Sequence, residues 1–383
     1  MSELINTRQQ NIRLQLLTTA SALALAFGAV ETAAAEDRPT VWIELGAQAE
    51  RLNVDQEPFA PPFVANYAGS DAFQPSPIAA QKLPKYGIGG EGSISFTPEE
   101  SDWVFSAAIR YGRSNNSRHL HKEGIVYENS VKYQLAPTAY PTPTTPADLH
   151  TLNDSRATNK ESHVVLDFAV GKDVGLGLFG RSSTSVLNVG VRFAQFSTHS
   201  TAAIRARPDI TFESKYVPFA GGFYAPLARY HDFHATADIA RSFHGVGPSL
   251  SWQGSVPVIG RSDGAELDID FGLNGAILFG RQKVAATHHT TGFYYKQALV
   301  STGTYRAPTY HNPNTKVSRP HSVTVPNIGG FMGISMRYPN AKVSFGYRAD
   351  VFFGAVDGGG DVRKTFDRSF HGPFAKIAIG LGD

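Results

Sequence analysis

The stretch AELDIDFGLNGAILFGRQ, residues 265–282, constrains the fold most sharply. Leu267, Ile269, Phe271, Leu273, Ile277 and Phe279 fall on one face of an extended chain, and Glu266, Asp268, Asp270, Gly272 and Asn274 on the other. No helical period gathers those carboxylates on one side; a period of two does. The same alternation recurs in TSVLNVGVRFAQF, where Leu187, Val189, Val191 and Phe193 oppose Asn188, Gly190 and Arg192. In AKVSFGYRADVFFG, Val343, Phe345, Tyr347, Ala349, Val351 and Phe353 oppose Lys342, Ser344, Gly346, Arg348 and Asp350. In DWVFSAAIRYG, Trp103, Phe105, Ala107, Ile109 and Tyr111 oppose Ser106 and Arg110. A bilayer-crossing strand needs about 9–11 residues that alternate in this way, apolar outward and polar or small inward.

The connections sharpen the reading. Short links are expected at Pro98–Asp102, at about 172–184, at Gly260–Gly264 and at Pro339-Asn340. Long polar or Pro-rich links are expected near 54–85, 114–160, 207–230, 284–325 and 355–372. Short turns at one end and long loops at the other are how bacterial outer-membrane barrels are built. The segments between these links predict about ten strands (eight to twelve): 40–53, 86–97, 102–113, 162–171, 184–206, 236–257, 265–283, 326–338, 341–354 and 373–382. A soluble β-sandwich also alternates, but rarely carries loops of this length on one side only.

The start of the chain reads as an address. Arg8 and Arg13 precede an apolar run, Leu14–Val30, and Ala33-Ala34-Ala35 offers a small-residue cleavage site before Glu36. Residues 1–35 are therefore expected to be a signal peptide, and residues 36–383 the barrel. Nothing later is apolar enough over 18 residues to be a membrane helix. Charged residues are 18% of the chain, there is no cysteine, and the formal charge is +2. That balance, with no Lys/Arg run, argues against a nucleic-acid partner. A barrel without disulfides is held by closure, because each strand pairs on both sides.

The inward face carries both signs. Arg110, Arg192, Arg337, Arg348 and Lys376 stand against Asp167, Glu266, Asp268, Asp270 and Asp350. Such a set can select solutes in a lumen, or it can fill a narrow barrel with ion pairs. Interiors of about eight strands are just filled by side chains, and wide channels need about sixteen. The 13 histidines cluster: His119 and His121, His231 and His234, His288-His289, and His311. They read as solvated loop residues, with metal binding and an Asp232–His pair as the sharper alternatives. No metal-ligand spacing such as H-E-x-x-H occurs.

Three C-terminal phrases carry a resemblance: FHGVGPSLSW (Phe243–Trp252), LDIDFGLNGAILFGRQK (Leu267–Lys283) and NAKVSFGYRADVFFGAVDGG (Asn340–Gly359). They resemble the pore-forming outer-membrane family typified by the Legionella-type major outer membrane protein. The resemblance covers roughly residues 240–383; earlier residues share only the barrel rhythm. Its most distinctive element is Gly245, Gly247 and Pro248, where glycines permit a bulge or tight bend and the proline removes one ladder donor. The resemblance implies a β-barrel porin or surface protein and carries over no catalytic residue. The chain departs from the usual aromatic ending of such barrels: Ile377, Ile379 and Leu381 alternate, but the last residue is Asp383.

The sequence thus predicts an all-β, transmembrane antiparallel barrel in a Gram-negative cell outer membrane. The expected function is porin-like, passive diffusion of small polar solutes through a lumen lined by Arg110, Arg192, Asp268, Asp270, Asn274, Arg337, Arg348 and Asp350. Expected partners are outer-membrane lipid and lipopolysaccharide, the barrel-assembly machinery and small polar solutes, with a homo-oligomer possible. No catalytic residue, metal or cofactor is assigned, and the chain is expected not to be an enzyme. Two other classes stay open: a non-conducting structural or adhesive surface barrel, and an outer-membrane hydrolase with an Asp/His or Ser/His pair within hydrogen-bond reach at the rim.

Overall fold

The computed structural model describes residues 41–54, 57–61, 80–81, 86–99, 101, 103–125, 150–174, 184–217, 223–260, 264–298 and 304–381. The expected signal peptide lies outside them. The described chain forms eleven strands: β1 (Val41–Val54), β2 (Tyr86–Phe96), β3 (Trp103–Ile125), β4 (His150–Asp173), β5 (Thr184–Arg207), β6 (Ile210–Val217), β7 (Phe223–Gly260), β8 (Glu266–Ala298), β9 (Thr304–Tyr338), β10 (Ala341–Asp357) and β11 (Thr365–Leu381).

The sheet closes. β1 pairs with β2 and β11, and β5 pairs with β7, all antiparallel. The order β1-β2-β3-β4-β5-β7-β8-β9-β10-β11 is therefore a ring of ten. β6 pairs only with β7, from Ile210 opposite Tyr230 to Val217 opposite Phe223. It continues the line of β5 beyond Pro208-Asp209, so it lengthens one wall without adding a stave.

The predicted alternation sets which side faces out. Leu187, Val189, Val191 and Phe193 are exposed on the outer wall, as are Ile269, Leu273, Ile277 and Phe279. Trp103, Phe105, Ile109, Tyr111, Phe345 and Tyr347 extend the same belt around the ring. Arg192, Asp268, Asp270, Arg348 and Asp350 are buried inside. In water this arrangement would be inverted; in a bilayer it is the stable one, since a lipid-facing charge costs about 2–4 kcal/mol at mid-depth.

The strands run far past that belt. β7, β8 and β9 hold 38, 33 and 35 residues, whereas crossing the membrane takes about 9–11. β1 and β2, with 14 and 11 residues, stop early. The extension is thus a one-sided wall built from β3 to β9. Its inner face buries Ile204, Ala235, Ala237, Ile239, Val284 and Ala286, with Phe59 packed against them, beside the polar Asn153, Ser155 and Asn159 of β4.

This corrects the loop boundaries. Most of the stretch 284–325 is strand, in β8 to Ala298 and in β9 from Thr304. The expected loop 114–160 loses its flanks to β3 and β4, 207–230 contains β6 and the start of β7, and 355–372 shrinks to the link between Asp357 and Thr365. Of 54–85, only residues 57–61 and 80–81 are described between β1 and β2. The reason is physical: above the lipid the outer face of a strand meets water and need not be apolar, so the apolar-outward alternation that marks a spanning strand is lost. Proline misleads in the same way. β9 pairs with β10 only up to Asn327, so Pro326 and Pro320 lie where β9 is an edge strand, and an edge tolerates proline.

The Gly245, Gly247, Pro248 motif is also corrected. No bulge forms there: Val246 opposes Phe279 and Ser249 opposes Ala276 in one unbroken register. A Cβ on Gly247 would sit 1.8 Å from the Ile277 carbonyl oxygen, so the glycine permits close approach of β7 to β8. The shift in this strand pair falls instead between Pro257 and Ile259.

Candidate functional site

The barrel interior is stacked in layers, beginning at the end with the short turns. The first layer is a charged cavity of about 380 Å³, lined among others by Glu44, Glu91, Arg337, Lys342 and Lys376. Arg337 pairs with Asp268 at 2.8 Å, and Lys342 with Asp270 at 2.9 Å. The Ser255 hydroxyl sits between them, donating to Asp270 at 2.7 Å and accepting from Arg337 at 3.0 Å.

The next groups cross the lumen. Arg110 on β3 reaches Asp350 on β10 at 2.6 Å. Arg192 on β5 donates to Asp167 at 2.6 Å, to Asn274 on β8 at 2.6 Å and to Asn327 on β9. Arg348 on β10 meets Glu91 on β2, which also holds Lys376 at 2.7 Å. All eight residues predicted to line a lumen therefore face the interior, and all eight are engaged in ion pairs or hydrogen bonds. The sequence reading placed Lys342 on the inward face without counting it among the lumen residues, and it missed Glu91, Asn327 and Ser255. Glu91 was legible: it shares the odd-numbered face of β2 with Ser93 and Ser95.

Above the charges lies an apolar layer. Phe196, Phe243, Phe352 and Phe370 come from four strands and meet inside, with Val165, Leu278 and Val325 beneath and beside them. The Phe196 and Phe352 rings are 4.8 Å apart and nearly perpendicular, and Phe196 stacks on Phe243 at 5.5 Å. Phe370 stacks on His163 at 4.3 Å across the barrel. Beside this layer Arg368, fully buried, pairs with Glu161 at 3.0 Å. Gln282 donates to the Gly354 carbonyl at 2.6 Å.

A third layer is made by the end of β10 and the link that follows it, which turn inward. Gly354 takes φ +64, a left-handed conformation that favours glycine, and Ala355 to Asp357 are buried. Arg241 donates to the Asp357 and Gly358 carbonyls at 3.1 and 3.2 Å. Arg319 donates to the Gly360 and Asp361 carbonyls, both at 2.7 Å. Two guanidinium groups thus hold the segment across the mouth.

The outer extension gathers the histidines against carboxylates. His119 contacts Asp154, and His231 contacts Asp209. His288 is 2.8 Å from Asp361, and His234 is 3.4 Å from Asp232. His311 lies in β9, with its side chain outside the described set. Asp232 also accepts from Arg205 and Arg207, each at 3.2 Å. Burial alone would raise the Asp232 carboxyl, but the hydrogen bonds from His234, Arg205 and Arg207 outweigh it and hold it well below the usual carboxylate range.

No protein-family model matches the chain, and neither does any curated protein. Among solved structures it is similar to the outer membrane protease OmpT from Escherichia coli, at 10% identity and a TM-score of 0.34, over 92% of this chain and 100% of that one. It is also similar to the translocator domain of the autotransporter NalP from Neisseria meningitidis, at 7% identity and a TM-score of 0.24, over 97% and 98% of the two chains. The toluene transporter TodX from Pseudomonas putida matches at 11% identity and a TM-score of 0.18, over 91% and 90%. These likenesses concern the fold alone. The expectation that the chain is not an enzyme is corrected: an outer membrane protease is among the structures it is similar to, and a fold by itself does not fix a function. The His–Asp pairs on the outer extension are likewise not the isolated residues that would have removed the hydrolase class.

Proposed function

We propose that this chain is an outer-membrane barrel with a closed interior, working through the wall it raises outside the membrane. The observation that carries this reading is the aromatic layer: rings from β5, β7, β10 and β11 meet within the lumen, directly above cross-barrel ion pairs. A solute following the charged cavity from the short-turn end meets Phe196 and Phe352. Hydrophobic constrictions of this kind block ion passage by excluding water. In this reading the short turns face the periplasm, the exposed belt meets outer-membrane lipid and lipopolysaccharide, and export requires the signal peptide and the barrel-assembly machinery.

A second reading keeps the porin. The cavity lined by Arg110, Arg192, Arg337, Arg348, Asp270 and Asn274 favours it, since both signs face one polar space. Under that reading the resemblance to the Legionella-type family extends to function, and the aromatic layer is a gate. Single-channel conductance of the refolded barrel in a planar bilayer separates the two. The closed barrel gives no discrete, lasting steps; the porin gives them, and charge reversal at Arg192 then changes their ion preference.

A further inference from the structure

We propose that His119, His121 and Asp154 form a site for a divalent transition-metal ion of the Zn²⁺ class on the outer face of the extension. The sequence alone offered a His-x-His doublet and nothing to complete it. The fold supplies the third ligand. On β3, His119 and His121 are two residues apart and so share a face. On β4, Asp154 lies directly opposite His121 in the antiparallel register. Asp154 Oδ1 contacts His119 Nε2 and lies 3.7 Å from His121 Nδ1. One ligand atom from each residue lies within 4.8 Å of the other two. A tetrahedral ion with bonds of about 2.0–2.1 Å to nitrogen and oxygen brings its ligands about 3.3 Å apart, so small side-chain rotations complete the geometry.

The fourth observation concerns the far side of His121. Its Nε2 lies 3.4 Å from Glu123 Oε1. A metal-bound imidazole usually gives its other N–H to a carboxylate, which fixes the tautomer and aims the ligating nitrogen. Glu123 is placed to do this, leaving Nδ1 to face Asp154 and the ion. Two imidazoles and one carboxylate suit Zn²⁺ and its neighbours rather than Mg²⁺ or Ca²⁺, which take oxygen ligands. The site is accessible, for both histidines are 46% exposed. It is also clear of lipid: His119 is eight residues beyond Tyr111, the last exposed aromatic of β3, or about 26 Å along the strand. With three protein ligands, the ion keeps at least one position for water or for a donor from outside.

The test is titration of ZnCl₂ into the refolded full-length barrel by calorimetry, with folding checked by circular dichroism. One equivalent is expected to bind. His119→Ala with His121→Ala should abolish that event, and Asp154→Asn should weaken it about tenfold or more. Glu123→Gln should raise the dissociation constant by about tenfold, an effect that a purely structural surface residue would not have. His231→Ala with His234→Ala, on the other histidine cluster, should leave the event unchanged. Undiminished binding in the His119/His121 variant would overturn the site. So would binding of CaCl₂ in preference to ZnCl₂. Neither result bears on whether the barrel conducts, so this proposal and the closed-barrel reading stand or fall separately.

Discussion

The barrel within the lipid belt and the wall above it are made from the same strands, yet they obey different rules. Within the belt, the outer face is apolar and the inner face is charged, as β8 shows with Ile269 and Leu273 outside and Asp268 and Asp270 inside. Above it, β8 inverts: Val284 and Ala286 are buried on the inner face, and polar residues take the outer one. Ion pairs follow the same division. Arg110–Asp350 in the belt is sequestered and crosses the lumen, whereas His199–Asp238 on the wall is exposed. The difference teaches that one strand can change solvent along its length, and that each part is stabilised by what its surroundings lack.

The largest effect that would test this contrast is expected at the buried layer. Arg368→Leu removes the cation facing the buried Glu161 carboxylate, which keeps only neutral support such as the Asn159 amide, and should cost about 3–5 kcal/mol, read as the urea midpoint of the barrel in lipid vesicles. Replacing both residues by leucine should recover most of that loss; if it does not, the pair does more than neutralise itself. Phe352→Ala opens a cavity among Phe196, Phe243 and Phe370 and should cost a similar amount, about 3–5 kcal/mol. If the aromatic layer is what closes the lumen, the same variant should also show conductance steps that the wild type lacks.

Next comes the lipid face. Leu273→Arg, at an exposed belt position on β8, should destabilise by about 2–4 kcal/mol. An arginine on the outer face of the wall, for example at Thr287, should have little effect. Equal costs at the two sites would erase the proposed membrane boundary.

Acid should then act on the wall. Asp232 has a depressed folded-state carboxyl, so its contribution is complete above the unfolded value and is lost as pH falls through that range toward the folded one. Wild-type stability should fall below about pH 4, and Asp232→Asn should flatten part of that slope. An unchanged slope in the variant would remove Asp232 from the acid response. Smallest of all, Glu57→Gln breaks only the exposed pair with Lys364 and should shift stability by about 0–1 kcal/mol, less in high salt.

Much of this molecule was legible from residue order. Ten spanning segments, their facing and the inward positions of Arg110, Arg192, Asp268 and Asp350 all follow from a period of two. That signal exists because the bilayer penalises one face uniformly, so each residue reports its own environment. The signal fades where the penalty ends. The wall strands, with runs such as ATHHTT in β8, resemble loops because nothing there requires the outer face to be apolar.

What only the tertiary structure decided is who meets whom across the ring. Phe196 and Phe352 are separated by 156 residues of chain and meet because β5 and β10 face each other in a closed barrel. Asp154 reaches His119 and His121 because the β3–β4 register places it there. Alternation along a strand fixes the side a residue takes. Closure and register fix its partner, and those depend on every strand at once, which is why the aromatic layer and the grouping of His119, His121 and Asp154 were not visible in the sequence.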